Sequence, residues 1–240
     1  VRVTNEHAAV AGLSCELAVF RVKGAGRAEP NPLGWDADDG RGTRRWTGQE
    51  WFNFWWPSLA PAKREPGRRI IYTFLNEVYR PEHAAFFVKF YIELMAAADR
   101  AGIKISVGNF SGGVFGTEGD DARKRAEVAA LVPLARECAR RGHYMSGNVY
   151  WWDEDGDARF RYLRALMDAV PEAKWIVEEL GWARNDAAYQ GYVALRVLLN
   201  RYREVYPEVD AALWCFNGSG GGWPQSQVPY EDAVAALATG

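Results

Sequence analysis

Short runs of β-branched and aromatic residues alternate along this chain with longer stretches whose apolar residues recur every three or four positions. Side chains repeat every two residues along a strand and every 3.6 along a helix, so the two kinds of run predict strands and amphipathic helices. The strand-like runs are CELAVFRV (15–22), RIIYTFLNEV (69–78), KISVGNF (104–110), MSGNVYW (145–151), KWIVEELGW (174–182) and AALWCFN (211–217), with a shorter one at 1–4. Alternation of this kind predicts a parallel sheet with crossover helices.

The helices are punctuated by residues that start or stop them. Pro81 opens one that runs to Gly102, and LARECARR closes at Gly142, with Pro133 either kinking that segment or starting its last helix. Two more end before Pro171 and Pro207, and YEDAVAALATG at the tail predicts a final helix. Residues 24–68 hold an aromatic helix, TGQEWFNFWWPSL, and no convincing strand. The tryptophans on or beside it (Trp46, Trp51, Trp55, Trp56) are assigned to packing. Six clear strands and a shorter seventh approach the count of a (β/α)8 TIM barrel, expected here as one domain over residues 1–240 that lacks its first strand in this chain. An open doubly wound sheet is the competing arrangement.

Composition narrows the function classes. The chain has 240 residues, 48% of them apolar, enough for one sizeable core. A net charge of −2 gives no global attraction to nucleic acid or to an anionic membrane, and neither is expected as a partner. The basic clusters GRGTRRW and KREPGRR fall in loop-like sequence and read as solvated. Cys15, Cys138 and Cys215 are odd in number and lack metal-ligand spacing, so buried thiols are expected. No apolar run reaches the length of a membrane span, and no signal peptide or initiator methionine is present, which leaves compartment and oligomeric state unread.

The chemistry collects at strand ends, where a barrel carries its active site. Arg21, Asn76 with Glu77, Asn109, Asn148 with Tyr150, Glu179 and Asn217 all end apolar strands. Glu77 and Glu179 lie 102 residues apart, about three strand–helix units, which sets them on opposite sides of a barrel mouth. Two facing carboxylates can protonate a leaving glycosidic oxygen and attack the anomeric carbon.

LNE at 75–77 and WIVEELGW at 175–182 resemble the paired motifs of the large clan of retaining (β/α)8 glycoside hydrolases, the cellulase and β-glycosidase type. That clan carries an Asn-Glu general acid/base after its fourth strand and a nucleophilic Glu after its seventh. Alignment on Gly181 makes Glu179 the nucleophile and puts Glu178 where Ser or Thr is usual. Strand alternation agrees, since it sets Val177 and Glu179 on one face and Glu178 on the other. The resemblance implies that Asn76 binds a sugar 2-hydroxyl, that Tyr150 bonds the nucleophile and that Trp214 floors the sugar subsite. Arg21 ends its strand as in related barrels, which implies either a bond to the nucleophile or a structural ion pair, and it is grouped with the substrate-binding residues. Asn148 stands where related barrels often have His. Trp182, with Trp151, Trp152 and Trp223, follows a strand end where rings stack on sugars.

Other signals fail their templates. DEDGD (153–157) lacks the Gly and Glu of a calcium loop, having Ala158 and Arg164 there. GSGGGW (218–223) lacks the final glycine of a dinucleotide fingerprint. His7, His83 and His143 are isolated, so neither a metal nor any other cofactor is expected. The resulting expectation is a retaining hydrolase of O-glycosidic bonds acting on a poly- or oligosaccharide. Its alternatives are a non-catalytic carbohydrate-binding or structural barrel and a peptidoglycan-lytic domain of a larger protein.

Overall fold

Each strand of the sheet lies parallel to the next in sequence. The fold is given by a computed structural model, which describes residues 2–4, 17–21, 32, 45–60, 69–76, 78–110, 121–151, 161–182 and 192–213. Its elements are β1 (Arg2–Thr4), β2 (Leu17–Arg21), α1 (Gly48–Leu59), β3 (Arg69–Thr73), a 3-10 turn (Pro81–His83), α2 (Ala84–Arg100), β4 (Lys104–Phe110), α3 (Asp121–Arg141), β5 (Tyr144–Trp151), α4 (Arg161–Ala169), β6 (Lys174–Trp182), α5 (Tyr192–Val205) and β7 (Asp210–Leu213). The seven strands form one sheet in the order β1 to β7. An eighth strand is not present among the described residues, and the tail at 230–240 lies outside them.

The sheet curls. Thr73 of β3 donates from Oγ1 to Glu178 Oε1 of β6 at 2.9 Å, although β4 and β5 stand between these strands. In a flat sheet three strand spacings amount to about 14 Å, too far for one hydrogen bond. Curvature gives the sheet an inner and an outer face. The outer face packs under the helices: Tyr72, Ile105, Val107, Met145, Val149, Val177 and Leu180 share one buried cluster with Phe87, Phe90, Leu94, Leu131 and Leu166. On the inner face Ile71 and Ile176 pack with Tyr144 in a separate, smaller cluster.

The helices form where their sequence directs. In α2 the buried positions Phe87, Phe90, Tyr91, Leu94, Met95 and Ala98 recur at three- and four-residue steps, which lines one stripe toward the sheet. Pro81 begins the preceding 3-10 turn, and Gly102 and Gly142 take φ values of +66° and +68° just past α2 and α3, as expected of helix stops. The helix α3 runs across Pro133 as a single element, so that residue neither starts a new helix nor ends one. Thr47 caps α1 with a reciprocal bond to Glu50. Gly48 then lies so close to α2 that an added Cβ would collide with the Phe90 carbonyl oxygen. Trp46 and Trp51 are buried, and Trp51 Nε1 donates to the Phe74 carbonyl at 2.9 Å, which confirms the packing role of these rings.

One buried histidine couples the helix layer to the foot of the sheet. His143 is fully buried just before β5. Its Nδ1 accepts from the Ile105 backbone N–H at 3.2 Å, so the neutral ring carries its proton on Nε2, 3.2 Å from Asp99 Oδ1. Burial lowers the His143 pKa to about 4, and the cations of Lys104 and Arg141 push the same way against the pull of Asp99. The unfolded chain, with an ordinary histidine near pH 6.5, therefore binds the proton first. Stability contributed by neutral His143 is present above pH 6.5 and is lost as pH falls through about 4. Urea unfolding measured from pH 7 to pH 4 should show this decline, and His143→Gln should flatten it.

Candidate active site

Two bulges shape the carboxyl end of the sheet. In β4, Val107 pairs with Met145 but Phe110 pairs with Gly147, so β4 spends one residue more than its neighbour. In β6, Val177 pairs with Gly147 but Glu179 pairs with Asn148, which leaves Glu178 as the inserted residue. The β6–β7 register shifts over the same stretch, between Val177 and Leu180. A bulge turns consecutive side chains toward one face.

The faces follow from what each residue touches. Val177 and Leu180 are in the helix-facing cluster. Glu178 bonds residues of β3 and β4 across the curl and is therefore on the inner face. Glu179 precedes outward-packed Leu180 and is in register with Asn148, whose neighbour Val149 also packs outward. Glu179 is thus on the inner face too, beside Asn148. Simple alternation had set Val177 and Glu179 together and Glu178 opposite them. The bulge overturns that argument, because both glutamates share the inner face and Val177 lies on the other side.

Glu178 is the centre of a buried polar cluster. Its Oε1 accepts from Thr73 Oγ1 at 2.9 Å, from Ser106 Oγ at 2.6 Å and from Asn109 Nδ2 at 2.9 Å. Thr73 and Ser106 also touch through their hydroxyl oxygens, and Asn109 Nδ2 donates to Ser146 Oγ at 2.9 Å. Every member is buried, and Glu178 retains only 2% of its surface. A carboxylate withdrawn from water requires such donors.

Asn109 reaches its place through the β4 bulge. It adopts φ +45°, a left-handed conformation that asparagine tolerates better than most residues. From the helix side, Tyr91 donates its hydroxyl to the Gly108 carbonyl at 3.1 Å. Burial, then the negative charge of Glu178, drives the Tyr91 pKa well above the ordinary phenol value, so this donor keeps its proton.

The expected site residues divide by where they stand. Asn148 and Glu179 are brought side by side, both buried. Asn76 follows β3 and is half-buried, with its Oδ1 enclosed. Arg21 ends β2 in register with Thr73, Tyr150 pairs with Gly181, and Trp182 ends β6. Glu77, Trp214, Asn217 and the loops at 153–157 and 218–223 lie outside the described residues. Among the described residues no group of three or more His, Cys, Asp or Glu side chains is arranged to hold a metal ion. Cys138 is buried and burial pushes its thiol pKa far up, which fits an inert core residue.

Sequence reasoning missed the cluster beneath the site. Its signals were small hydroxyl residues (Thr73, Ser106, Ser146) inside apolar strands, and Gly108 inside a strand pattern, a mark of a bulge.

No protein-family model matches the chain, and no curated protein sequence matches it. Among solved structures it is similar to an exo-β-1,3-glucanase of glycoside hydrolase family 128, subgroup VI, from Aureobasidium namibiae. The two are 16% identical with a TM-score of 0.49, over 96% of this chain and 91% of that one. It is also similar to a xylose isomerase domain protein from Planctomyces limnophilus, at 11% identity and a TM-score of 0.39, over 100% of this chain and 94% of that one. Likenesses this distant do not bear on the chemistry of the site.

Glu178→Ala removes the shared acceptor of three buried donors. Thr73 and Ser106 can then bond each other, which leaves two donors unsatisfied at about 1–3 kcal/mol each, so chemical denaturation should show a loss of at least about 2 kcal/mol. A loss below about 0.5 kcal/mol would mean that Glu178 faces solvent.

Proposed function

We propose that this protein is a retaining glycoside hydrolase of the (β/α)8-barrel type, with Glu179 as nucleophile and Glu77 as general acid/base. The reading is supported by one contact above all, the bond from Thr73 to Glu178 that draws β3 and β6 together across the curl of the sheet. Glu77 follows Thr73 by four residues in the sequence and Glu179 follows Glu178 by one, so each candidate carboxylate comes shortly after a residue of this bonded pair.

Between the adjacent glutamates, the chemistry falls to Glu179. Glu178 Oε1 already holds three donors from within the sheet, whereas Glu179 is one residue nearer the carboxyl end of β6, where a barrel receives its substrate. In the first step a Glu179 oxygen attacks the anomeric carbon, the bond to the leaving oxygen breaks, and Glu77 gives that oxygen its proton. In the second step Glu77 takes a proton from water, the water oxygen attacks the same carbon, and Glu179 departs as carboxylate. This double displacement needs carboxyl groups roughly 5–5.5 Å apart. Asn76, Asn148 and Tyr150 would hold the sugar and the nucleophile, Arg21 would contribute a charge at the rim, and Trp182 and Trp214 would stack on the ring faces.

A screen of aryl glycosides and soluble polysaccharides tests the reading. The wild type should hydrolyse at least one of them, and Glu179→Gln should reduce kcat by about a thousandfold or more. Glu77→Gln should act selectively, sparing the first step with dinitrophenyl glycosides, whose leaving group needs no proton, so that a burst of dinitrophenolate precedes slow release of the sugar, while abolishing turnover of natural linkages. Hydrolysis that survives Glu179→Gln would exclude Glu179 as nucleophile.

A further inference from the structure

Asparagine has two donors and one acceptor oxygen, and in a buried side chain each should find a partner. Asn109 meets only the donor part of that demand. It keeps 2% of its surface, and both contacts of its Nδ2, to Ser146 Oγ and Glu178 Oε1, are made at 2.9 Å. Its Oδ1 is buried and accepts no hydrogen bond.

The amide orientation is not arbitrary. An ionised carboxylate only accepts, so the NH2 group must face Glu178 and the oxygen must face away from it. With Glu178 on the inner face and Asn109 at the carboxyl end of β4, a bare acceptor is left where the strands end. A second one stands on the neighbouring segment. Asn76 Oδ1 is likewise buried without a hydrogen bond. Asn76 and Asn109 each lie three residues beyond Thr73 and Ser106, which pair in the β3–β4 register.

We infer that Asn109 is a further ligand-binding residue, whose amide oxygen, aimed by Glu178, accepts a hydrogen bond from a hydroxyl of a polyhydroxylated ring. This rests on the proposed glycosidase only for the class of ligand, because a sugar offers several hydroxyl donors and Asn76 and Asn109 each hold an amide oxygen that lacks one. Glu178 is a positioning residue in this arrangement. A serine or threonine in its place has a hydroxyl that donates as well as accepts, and would leave the amide free to flip.

The test is calorimetric binding to the full-length Glu179→Gln protein, with methyl glycosides of glucose, galactose, mannose and xylose and then the monodeoxy derivatives of whichever binds. One deoxy derivative should bind about tenfold more weakly than its parent, a loss of about 1.4 kcal/mol. Adding Asn109→Gly, which tolerates the left-handed backbone, should weaken the parent glycoside by a similar factor and that deoxy derivative no further. Equal weakening of parent and all deoxy derivatives would overturn the inference, as would binding of none of the glycosides. A melting curve checks that Asn109→Gly folds. If it does not, a crystal structure of the Glu179→Gln complex decides: a ligand hydroxyl within hydrogen-bond distance of Asn109 Oδ1 supports the role, and a water or a protein donor there refutes it. Coupling between Asn109 and one hydroxyl without any wild-type hydrolysis would sink the glycosidase and leave this site standing. Hydrolysis without coupling would do the reverse.

Discussion

A single carboxylate oxygen joins three strands of this sheet. Glu178 Oε1 gathers donors from Thr73 on β3 and from Ser106 and Asn109 on β4, while its own backbone belongs to β6. Those contacts are compatible only with a curled sheet, and they hold a buried anion that nothing apolar could accommodate. Around this point the chain has two distinct interiors. One is the apolar layer between strands and helices, and the other is the polar inner face on which the candidate chemistry stands.

The two bulges are what bring polar side chains onto that inner face. Without the insertion in β6, Glu178 and Glu179 would point opposite ways and only one carboxylate could face the interior. The bulge in β4 does the same for Asn109, and the Tyr91 hydroxyl secures it from the helix layer through Gly108. The rigid packing of Tyr91 between Phe87 and Phe90 makes that support firm. A polar site is thus fixed by apolar packing on the far side of its own strand.

Much of the architecture was legible because it depends on local signals. The extents of β4 and β6 match the apolar runs at 104–110 and 174–182, and Pro81, Gly102 and Gly142 mark helix limits through their own backbone preferences. Asn148 and Glu179, chosen as strand-end polar residues, do lie side by side. The faces of residues 177 to 179 were not legible. Alternation is a rule for a regular strand, and the departure at Glu178 is set by partners 72 and 105 residues away on other strands. No pattern along one segment carries that information. The role of Glu178 was hidden for the same reason, since its donors are ordinary strand residues until the sheet curls them together.

Adjacent, buried and facing the same interior, Glu178 and Glu179 make the assignment of a nucleophile a question of one residue. The most direct measurement is covalent trapping with dinitrophenyl 2-deoxy-2-fluoroglycosides, followed by mass spectrometry of the peptide that contains both. The account predicts one fluoroglycosyl group per chain, attached to Glu179. Attachment to Glu178, or to a residue outside β6, would contradict it.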